Sequence, residues 1–88
     1  MKKEEVKLEV IGIIVESYQV SRDKITEDSF LEKDLKFDEL DMVEFVMTLE
    51  EVLGIEIPDE DGDKHFYGHT IGSVIDYIVE KTKDRQGE

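Results

Sequence analysis

The sequence lacks cysteine altogether, which removes several kinds of chemistry at once. A chain without cysteine has no disulfide framework, no thiolate nucleophile and no zinc–thiolate site. The N-terminal segment MKKEEVKLEV alternates charged and apolar side chains, so it resembles neither a signal peptide nor a membrane span. We therefore expect a soluble cytoplasmic protein that does not insert into a membrane.

Basic residues are also scarce, with 11 Lys and Arg against 24 Asp and Glu and a formal net charge of -13. Between Lys36 and Lys64 every charged side chain is acidic. A field of this sign repels nucleic acid and anionic membranes, and it attracts basic protein surfaces. The hydrophobic residues, 39% of the chain, recur periodically, which a disordered acidic tail would not show.

The chain of 88 residues is long enough for one small domain with a thin core. We expect the folded core to span about residues 3–82 and the tail 83–88 to be frayed. The first helix is predicted from about Lys3 to Ser17, because apolar residues recur on one face. Gly12 lies inside it at a cost of about 1 kcal/mol relative to Ala, which a close helix crossing could offset. The residues of this apolar face are Val6, Val10, Ile13 and Ile14.

A polar stretch, SRDKITEDSFLEKDLKF, follows the first helix and carries apolar residues at irregular spacing. This pattern predicts a long ordered loop held to the core by Ile25, Phe30, Leu35 and Phe37. Loops of this length are uncommon unless they have a function.

The second helix is predicted to begin after Asp38, whose carboxylate can cap the N-terminus, with Glu39 and Asp41 in the first turn. Gly54 is a suitable residue to end it. One side of the helix is apolar, formed by Met42, Val46, Leu49 and Leu53 and widened by Phe45 and Val52.

The remainder predicts one short helix after Pro58 and a last helix that Thr70 caps. The inward face of the last helix consists of Ile71, Val74, Ile75 and Ile78. No convincing pair of strands is present. The sequence therefore predicts an all-α fold, an antiparallel four-helix bundle of three main helices and a short one.

Asp41, Glu44 and Glu51 share one face of the second helix, with Val43 and Met47 beside them. A charged helix face is often only a solvated surface. Alternatively, this face docks basic partners, because charge speeds the encounter and an exposed methionine gives adaptable apolar contact.

Two patterns suggest metal sites. The stretch 59–63, DEDGD, has acids where a calcium loop has them, but Lys64 replaces the required glycine and Thr70 the final glutamate. Weak binding of divalent ions stays open. His65 and His69 stand four apart as a metal pair would, yet no third ligand is evident, so a metal-dependent enzyme is the least favoured hypothesis. No nucleophile has an assigned base, and we expect the protein not to be an enzyme.

The stretch DELDMVEFVMTLEEVLGIEIPDED closely resembles the acyl carrier protein family, in which an Asp-Ser-Leu triplet opens the second helix. ITEDSFLEKDL is similar to the family's preceding loop and VIDYIVEK to its last helix, so the resemblance spans roughly Val6 to Lys81. It implies a four-helix bundle that carries acyl chains on a 4′-phosphopantetheine arm attached to the serine. It also implies that the acidic second helix docks on basic surfaces of acyl-transfer and synthase-type proteins.

Glu39 stands at the attachment position, between Asp38 and Leu40, which match the rest of the triplet. Arm transfer needs a hydroxyl oxygen to form a phosphodiester, and a carboxylate would at best give a labile mixed anhydride. We therefore expect no 4′-phosphopantetheine on this chain. The resemblance assigns partner recognition to Asp41, Val43, Glu44 and Met47, to which the spacing adds Glu51.

Two further features bear on the resemblance. Ser29 also follows an aspartate, but it aligns with the preceding loop and lacks the helix entry, so it is a poor substitute site. The segment HFYGH lengthens the third-helix region by a few residues, which changes the mouth of the family's acyl pocket.

The favoured hypothesis is a monomeric carrier-like protein of fatty-acid or related acyl metabolism that acts through its acidic second helix. Glu39 would supply a negative charge near the place of the missing phosphodiester. The simpler explanation is that the site drifted or was substituted in a protein whose parent carried serine. The alternative function is a free-standing acidic binding or regulatory module that has left acyl transfer.

Overall fold

A computed structural model describes residues 1–83 and is all-α. The tail predicted to fray lies, from residue 84 onward, outside the described residues. A short 3₁₀ turn at Arg22–Lys24 interrupts the first loop. The helices of the described part are α1 (Lys3–Tyr18), α2 (Glu39–Leu53), α3 (Asp59–His65) and α4 (Ile71–Lys81). The all-α class and the three long helices with one short helix are confirmed.

Each long helix turns most of its predicted apolar face inward, where α1 packs against α4 and α2. A row of contacting rings also runs through the molecule, with successive centroid separations of 4.5, 5.7, 6.4 and 5.6 Å. Such tilted and edge-to-face pairs add to the stability gained from burial. The rings belong, in order, to Tyr18, Phe37, Phe45, Phe66 and Tyr77.

The helix ends follow the local sequence signals. Asp38 is the N-cap of α2 and accepts a hydrogen bond from the Asp41 backbone N–H. Gly54 ends α2 in the left-handed conformation, with φ of 64°, which glycine adopts without strain. Thr70 caps α4 through a hydrogen bond from the Ser73 N–H, as predicted.

The long loop is fastened to the segment before α4 by backbone hydrogen bonds. Ile71 N–H donates to the Ser29 carbonyl at 2.9 Å and Leu31 N–H to the His69 carbonyl at 3.3 Å. Phe30 and Thr70 form an isolated bridge, a pairing that the sequence did not predict.

Phe30 was wrongly predicted to be a core anchor. Its side chain is 38% exposed, whereas the neighbouring Leu31 is fully buried. The bridge with Thr70 fixes which of two adjacent side chains faces the core, since neighbours in an extended segment point to opposite sides. Ile25 and Phe37 are buried and Leu35 is half-buried, in agreement with their predicted role.

One prediction about a helix face was also wrong, and one suggested compensation is not found. Val52 does not widen the apolar side of α2, because 52% of it is exposed. Gly12 does not mark a close helix crossing, because a Cβ built there would meet nothing within 4 Å. Its place in α1 therefore costs helix propensity without a packing gain.

Candidate functional site

The attachment position lies at the N-terminus of α2, where Glu39 is the first helical residue and is exposed. The turn beneath it is fixed by a reciprocal capping box. The Asp38 carboxylate accepts from the Asp41 N–H at 2.8 Å, and the Asp41 carboxylate accepts from the Asp38 N–H at 3.0 Å. The capping box thus fixes the first turn of the helix, and Glu39 lies at the positive end of the helix dipole.

The predicted partner-binding residues form one exposed strip along α2. Val43 and Met47 are 44% and 53% exposed, and Glu44 and Glu51 are exposed beside them. Leu40 is the most exposed apolar side chain of the strip, at 66%. We call this strip, from Leu40 to Glu51, the docking face.

Asp41 differs from the other acids of the docking face because it is engaged within the fold. Its side chain belongs to the capping box, it is half-buried, and its carbonyl accepts a hydrogen bond from the Tyr18 hydroxyl at 3.2 Å. Burial, with the charges of Glu44 and Asp41, raises the pKa of the Tyr18 phenol above its usual value. Asp41 therefore orients the docking face as well as contributing charge to it.

A cleft of about 1030 Å³ opens between the start of α2, α3 and the long loop. Five carboxylates and no basic residue line it, so we call it the acidic cleft. Burial, and then Asp63 and Glu39, raise the pKa of the Tyr67 phenol in its wall. Its lining residues are Glu32, Asp38, Glu39, Leu40, Met42, Val43, Asp59, Asp63 and Tyr67.

A smaller and more enclosed hollow of about 200 Å³ adjoins this cleft between α2 and α3. We call it the α2–α3 crevice. It shares Val43, Asp59 and Tyr67 with the acidic cleft, and most of its wall is apolar. Its remaining lining residues are Val46, Met47, Glu50, Ile57, Pro58 and Gly62.

Ser29, the one serine in the sequence that follows an aspartate, has a structural role. It is 8% exposed, and its hydroxyl accepts a hydrogen bond from the Thr26 N–H at 3.0 Å. A hydroxyl in this position closes the turn of the loop and is shielded from a transferase.

The two histidines contact other parts of the fold, and the acidic run belongs to a helix. The His65 ring stacks on Tyr77 with centroids 5.0 Å apart, and His69 takes part in the backbone pairing with Leu31. Residues 59–63 form part of α3 rather than a calcium-binding loop. Within residues 1–83, no three His, Cys, Asp or Glu side chains are grouped so as to hold a metal ion.

Sequence reasoning assigned Glu32 and Tyr67 of the acidic cleft to no site, and it considered Asp59 and Asp63 only as part of a possible cation site. The unusual HFYGH segment was the available signal, since it contains Tyr67. The Glu32 carboxylate accepts from the Gly68 N–H at 2.6 Å, which holds this segment against the long loop.

None of the described helices combines the length and apolar character needed to cross a membrane.

Comparison with known proteins agrees with the geometry. The family model described as "Phosphopantetheine attachment site" matches residues 9–78. An acyl carrier protein from Lactobacillus johnsonii is 41% identical over 78 residues, covering 89% of this chain and 94% of the relative. One from Chloroherpeton thalassium is 43% identical over 83 residues, covering 94% of this chain and all of the relative. The solved structure of an acyl carrier protein from Enterococcus faecalis superposes with a TM-score of 0.74 at 37% identity, covering 92% of this chain and 99% of that one.

Proposed function

This chain belongs to the acyl carrier protein family, and we propose that it presents that family's docking face without carrying the prosthetic arm. Members of the family are carriers rather than enzymes, and they contact acyl-transfer and synthase proteins. The proposal places this protein, as a monomer in the cytoplasm, beside enzymes of fatty-acid or related acyl metabolism. Its action is to occupy the sites where a loaded carrier would dock.

The observation that carries the proposal is the side chain at the start of α2. Glu39 occupies the first helical position, directly after the N-cap Asp38. A 4′-phosphopantetheine arm needs a hydroxyl there, because its linkage is a phosphodiester to an alcohol oxygen. Glu39 has only carboxylate oxygens on its side chain, so its chemistry does not fit covalent attachment of the arm.

The carboxylate of Glu39 also supports a more specific hypothesis. A negative charge in the first turn is stabilised by the helix dipole by about 0.3–1 kcal/mol. Glu39 is exposed, so a partner can contact its charge directly. In this proposal Glu39 stands in for the phosphate charge that a loaded carrier presents to its partners.

The docking face supports association by charge and by apolar contact together. Glu44 and Glu51 flank the exposed Val43 and Met47, so a basic partner surface meets charge at the rim and apolar area between. Long-range attraction raises the rate of encounter, and salt screens it.

The proposal is tested by restoring the hydroxyl. The parent protein and a Glu39→Ser variant are each incubated with coenzyme A and a broad phosphopantetheinyl transferase, and intact masses are measured. We expect the variant to gain the mass of one arm and the parent to gain none. A matched Glu39→Ser/Ser29→Ala protein should still gain one arm, because Ser29 is buried.

Two outcomes would contradict the proposal. An arm on the parent would show that another residue accepts it. No arm on the Glu39→Ser variant, with a folded circular dichroism spectrum, would favour the free-standing acidic module instead.

The role of the Glu39 charge has its own test. The parent, Glu39→Gln and Glu39→Ser proteins, all without the arm, are compared as inhibitors of an acyl-transfer enzyme that acts on a loaded acyl carrier protein. We expect the parent to inhibit more strongly than Glu39→Gln, which has the same shape without the charge. Equal inhibition by these two would mean that the charge at position 39 has no part in docking.

A further inference from the structure

We infer that the α2–α3 crevice receives one bulky apolar side chain of a docking partner whose flanking Lys or Arg residues lie against the acidic cleft. This inference rests on the proposed function, because it describes the partner of the same docking face. It adds the chemistry that the partner must present. The partner segment needs one large apolar residue with basic residues on either side of it.

The wall and size of the crevice support an apolar side chain as its occupant. Val46, Ile57 and Pro58 supply apolar surface, and the volume of about 200 Å³ suits one large side chain. Glu50 and Asp59 are the lining carboxylates, and Glu50 already accepts a hydrogen bond from the Ile57 N–H at 2.9 Å. An entering apolar group therefore does not deprive Glu50 of that hydrogen bond.

The surroundings of the crevice support a basic partner. No Lys or Arg lines either the crevice or the acidic cleft. The ion pairs found within residues 1–83 involve Glu27 and Glu80, neither of which lines these two hollows. The cleft acids thus keep their charge available for cations supplied from outside the chain.

The same charges disfavour an acidic lipid as the occupant. A fatty acid whose alkyl chain entered the crevice would bring its carboxylate near Asp59 and Asp63. The carboxylate of the fatty acid and these two carboxylates would repel one another, and the repulsion grows as water is excluded. A protein segment with Lys or Arg beside an apolar residue meets no such penalty.

An apolar anchor in the crevice would carry much of the binding energy. Interface energy concentrates in a few large side chains buried in pockets, while the charged rim excludes water and contributes less. Val43 and Met47 belong to both the docking face and the crevice wall. One side chain can therefore enter the crevice while its neighbours contact the strip along α2.

The experiment uses the absence of tryptophan from this chain, which makes a tryptophan in a synthetic peptide the sole indole present. Two helical peptides rich in lysine and of equal charge are compared, one with a central Trp and the other with Ala in its place. Binding is followed by anisotropy of a terminal dye, and the Trp emission spectrum reports burial. We expect the Trp peptide to bind about tenfold tighter or more, with a blue-shifted emission.

Matched variants locate the effect. Val43→Phe places bulk at the crevice, whereas Val52→Phe makes the same change at an exposed α2 position that does not line it. We expect Val43→Phe to remove the preference for the Trp peptide and Val52→Phe to keep it. Circular dichroism and urea unfolding check that both variants fold. A preference that survives Val43→Phe in the folded protein would overturn the inference.

The outcomes separate this inference from the proposed docking face. If both peptides bind equally, and Glu44→Gln/Glu51→Gln weakens both, the docking face stands and the crevice anchor is wrong. If neither peptide binds even at low salt, both proposals are wrong. Displacement of the Trp peptide by decanoate, with no loss of dye anisotropy from the Ala peptide, would identify a fatty acid as the occupant and overturn the inference.

Discussion

The Tyr18 hydroxyl donates a hydrogen bond to the Asp41 carbonyl at 3.2 Å, which joins the end of α1 to the first turn of α2. The Tyr18 ring also contacts Phe37, with centroids 4.5 Å apart. This contact continues the row of core rings to the edge of the docking face. Tyr18 therefore adds to the buried side chains of α2 a further link between the docking face and the core.

We expect Tyr18→Phe to lower the free energy of unfolding by about 0.5–1.5 kcal/mol, the usual value of one such hydrogen bond. The ring contact with Phe37 is retained, so the loss is confined to the hydroxyl. Urea unfolding should show a lower midpoint with an unchanged m-value. Tyr18→Leu, which also removes the ring, should cost more, and an equal loss in the two variants would contradict this assignment.

Two glycines inside helices should respond to alanine in opposite ways. A Cβ at Gly72 would lie 3.0 Å from the Glu27 carbonyl oxygen and 3.3 Å from the Glu27 Cβ. The Gly72 N–H donates to that same carbonyl at 2.8 Å, so the loop cannot retreat without losing a hydrogen bond. At Gly12 a Cβ meets nothing within 4 Å.

We therefore expect Gly12→Ala to stabilise the protein by up to about 1 kcal/mol through helix propensity. Gly72→Ala should destabilise it by about 1–3 kcal/mol, because crowding exceeds the propensity gain. Thermal and urea unfolding of the two variants measure the difference. Stabilisation by Gly72→Ala would mean that the long loop is not held against α4 as described.

The helix ends and inward faces could be predicted because their signals are local. A carboxylate before α2, a glycine after it and a threonine before α4 each act within one turn of the chain. Apolar residues at helical spacing likewise need no knowledge of distant segments. Val52 shows the limit of that reasoning, since a residue at the margin of an apolar stripe is buried only if another element covers it.

The acidic cleft could not be predicted, because it is assembled from three separate segments. Glu32 comes from the long loop and Tyr67 from the segment after α3, and a hydrogen bond to Gly68 brings the two together. Irregular segments have no period that would indicate which side chain faces inward, which is why Leu31 and not Phe30 fills the core. Asp41 was correctly placed on α2, but its position three residues after the N-cap also makes it part of the cap.

Tyr77 should make stability fall in alkaline solution. Its hydroxyl donates to the Asp61 carboxylate at 2.6 Å, and burial, that hydrogen bond and the nearby acidic charges raise its pKa above the usual value. Unfolding lowers the pKa back to about 10. The stabilisation is therefore complete below about pH 10 and is lost as the pH rises toward the pKa of the folded state.

Urea unfolding at a series of pH values from about 8 to 11 measures this loss. We expect the free energy of unfolding of Tyr77→Phe to decrease less at alkaline pH than that of the parent. Some decrease of the free energy of unfolding with pH should remain in this variant, because the pKa values of Tyr18 and Tyr67 are also raised by burial and acidic neighbours. If the free energy of unfolding decreased as steeply with pH in Tyr77→Phe as in the parent, Tyr77 would be excluded as the cause of the decrease.

The charge of the docking face can be separated from the net charge of the chain by moving the same change to another helix. Glu44→Gln/Glu51→Gln and Glu9→Gln/Glu16→Gln each remove two exposed carboxylates, the first pair from α2 and the second from α1. Both variants have the same net charge, so they differ only in where negative charge is lost. Steering by a local patch should respond to the first change far more than to the second.

We expect the α2 variant to associate several-fold more slowly with a phosphopantetheinyl transferase, and with a flatter dependence on salt. The α1 variant should stay close to the parent. Stopped-flow association at several ionic strengths measures both rates, and unfolding curves confirm that the variants are folded. Equal slowing in the two variants would mean that the partner responds to the overall field of the chain. The docking face would then have no special part in recognition.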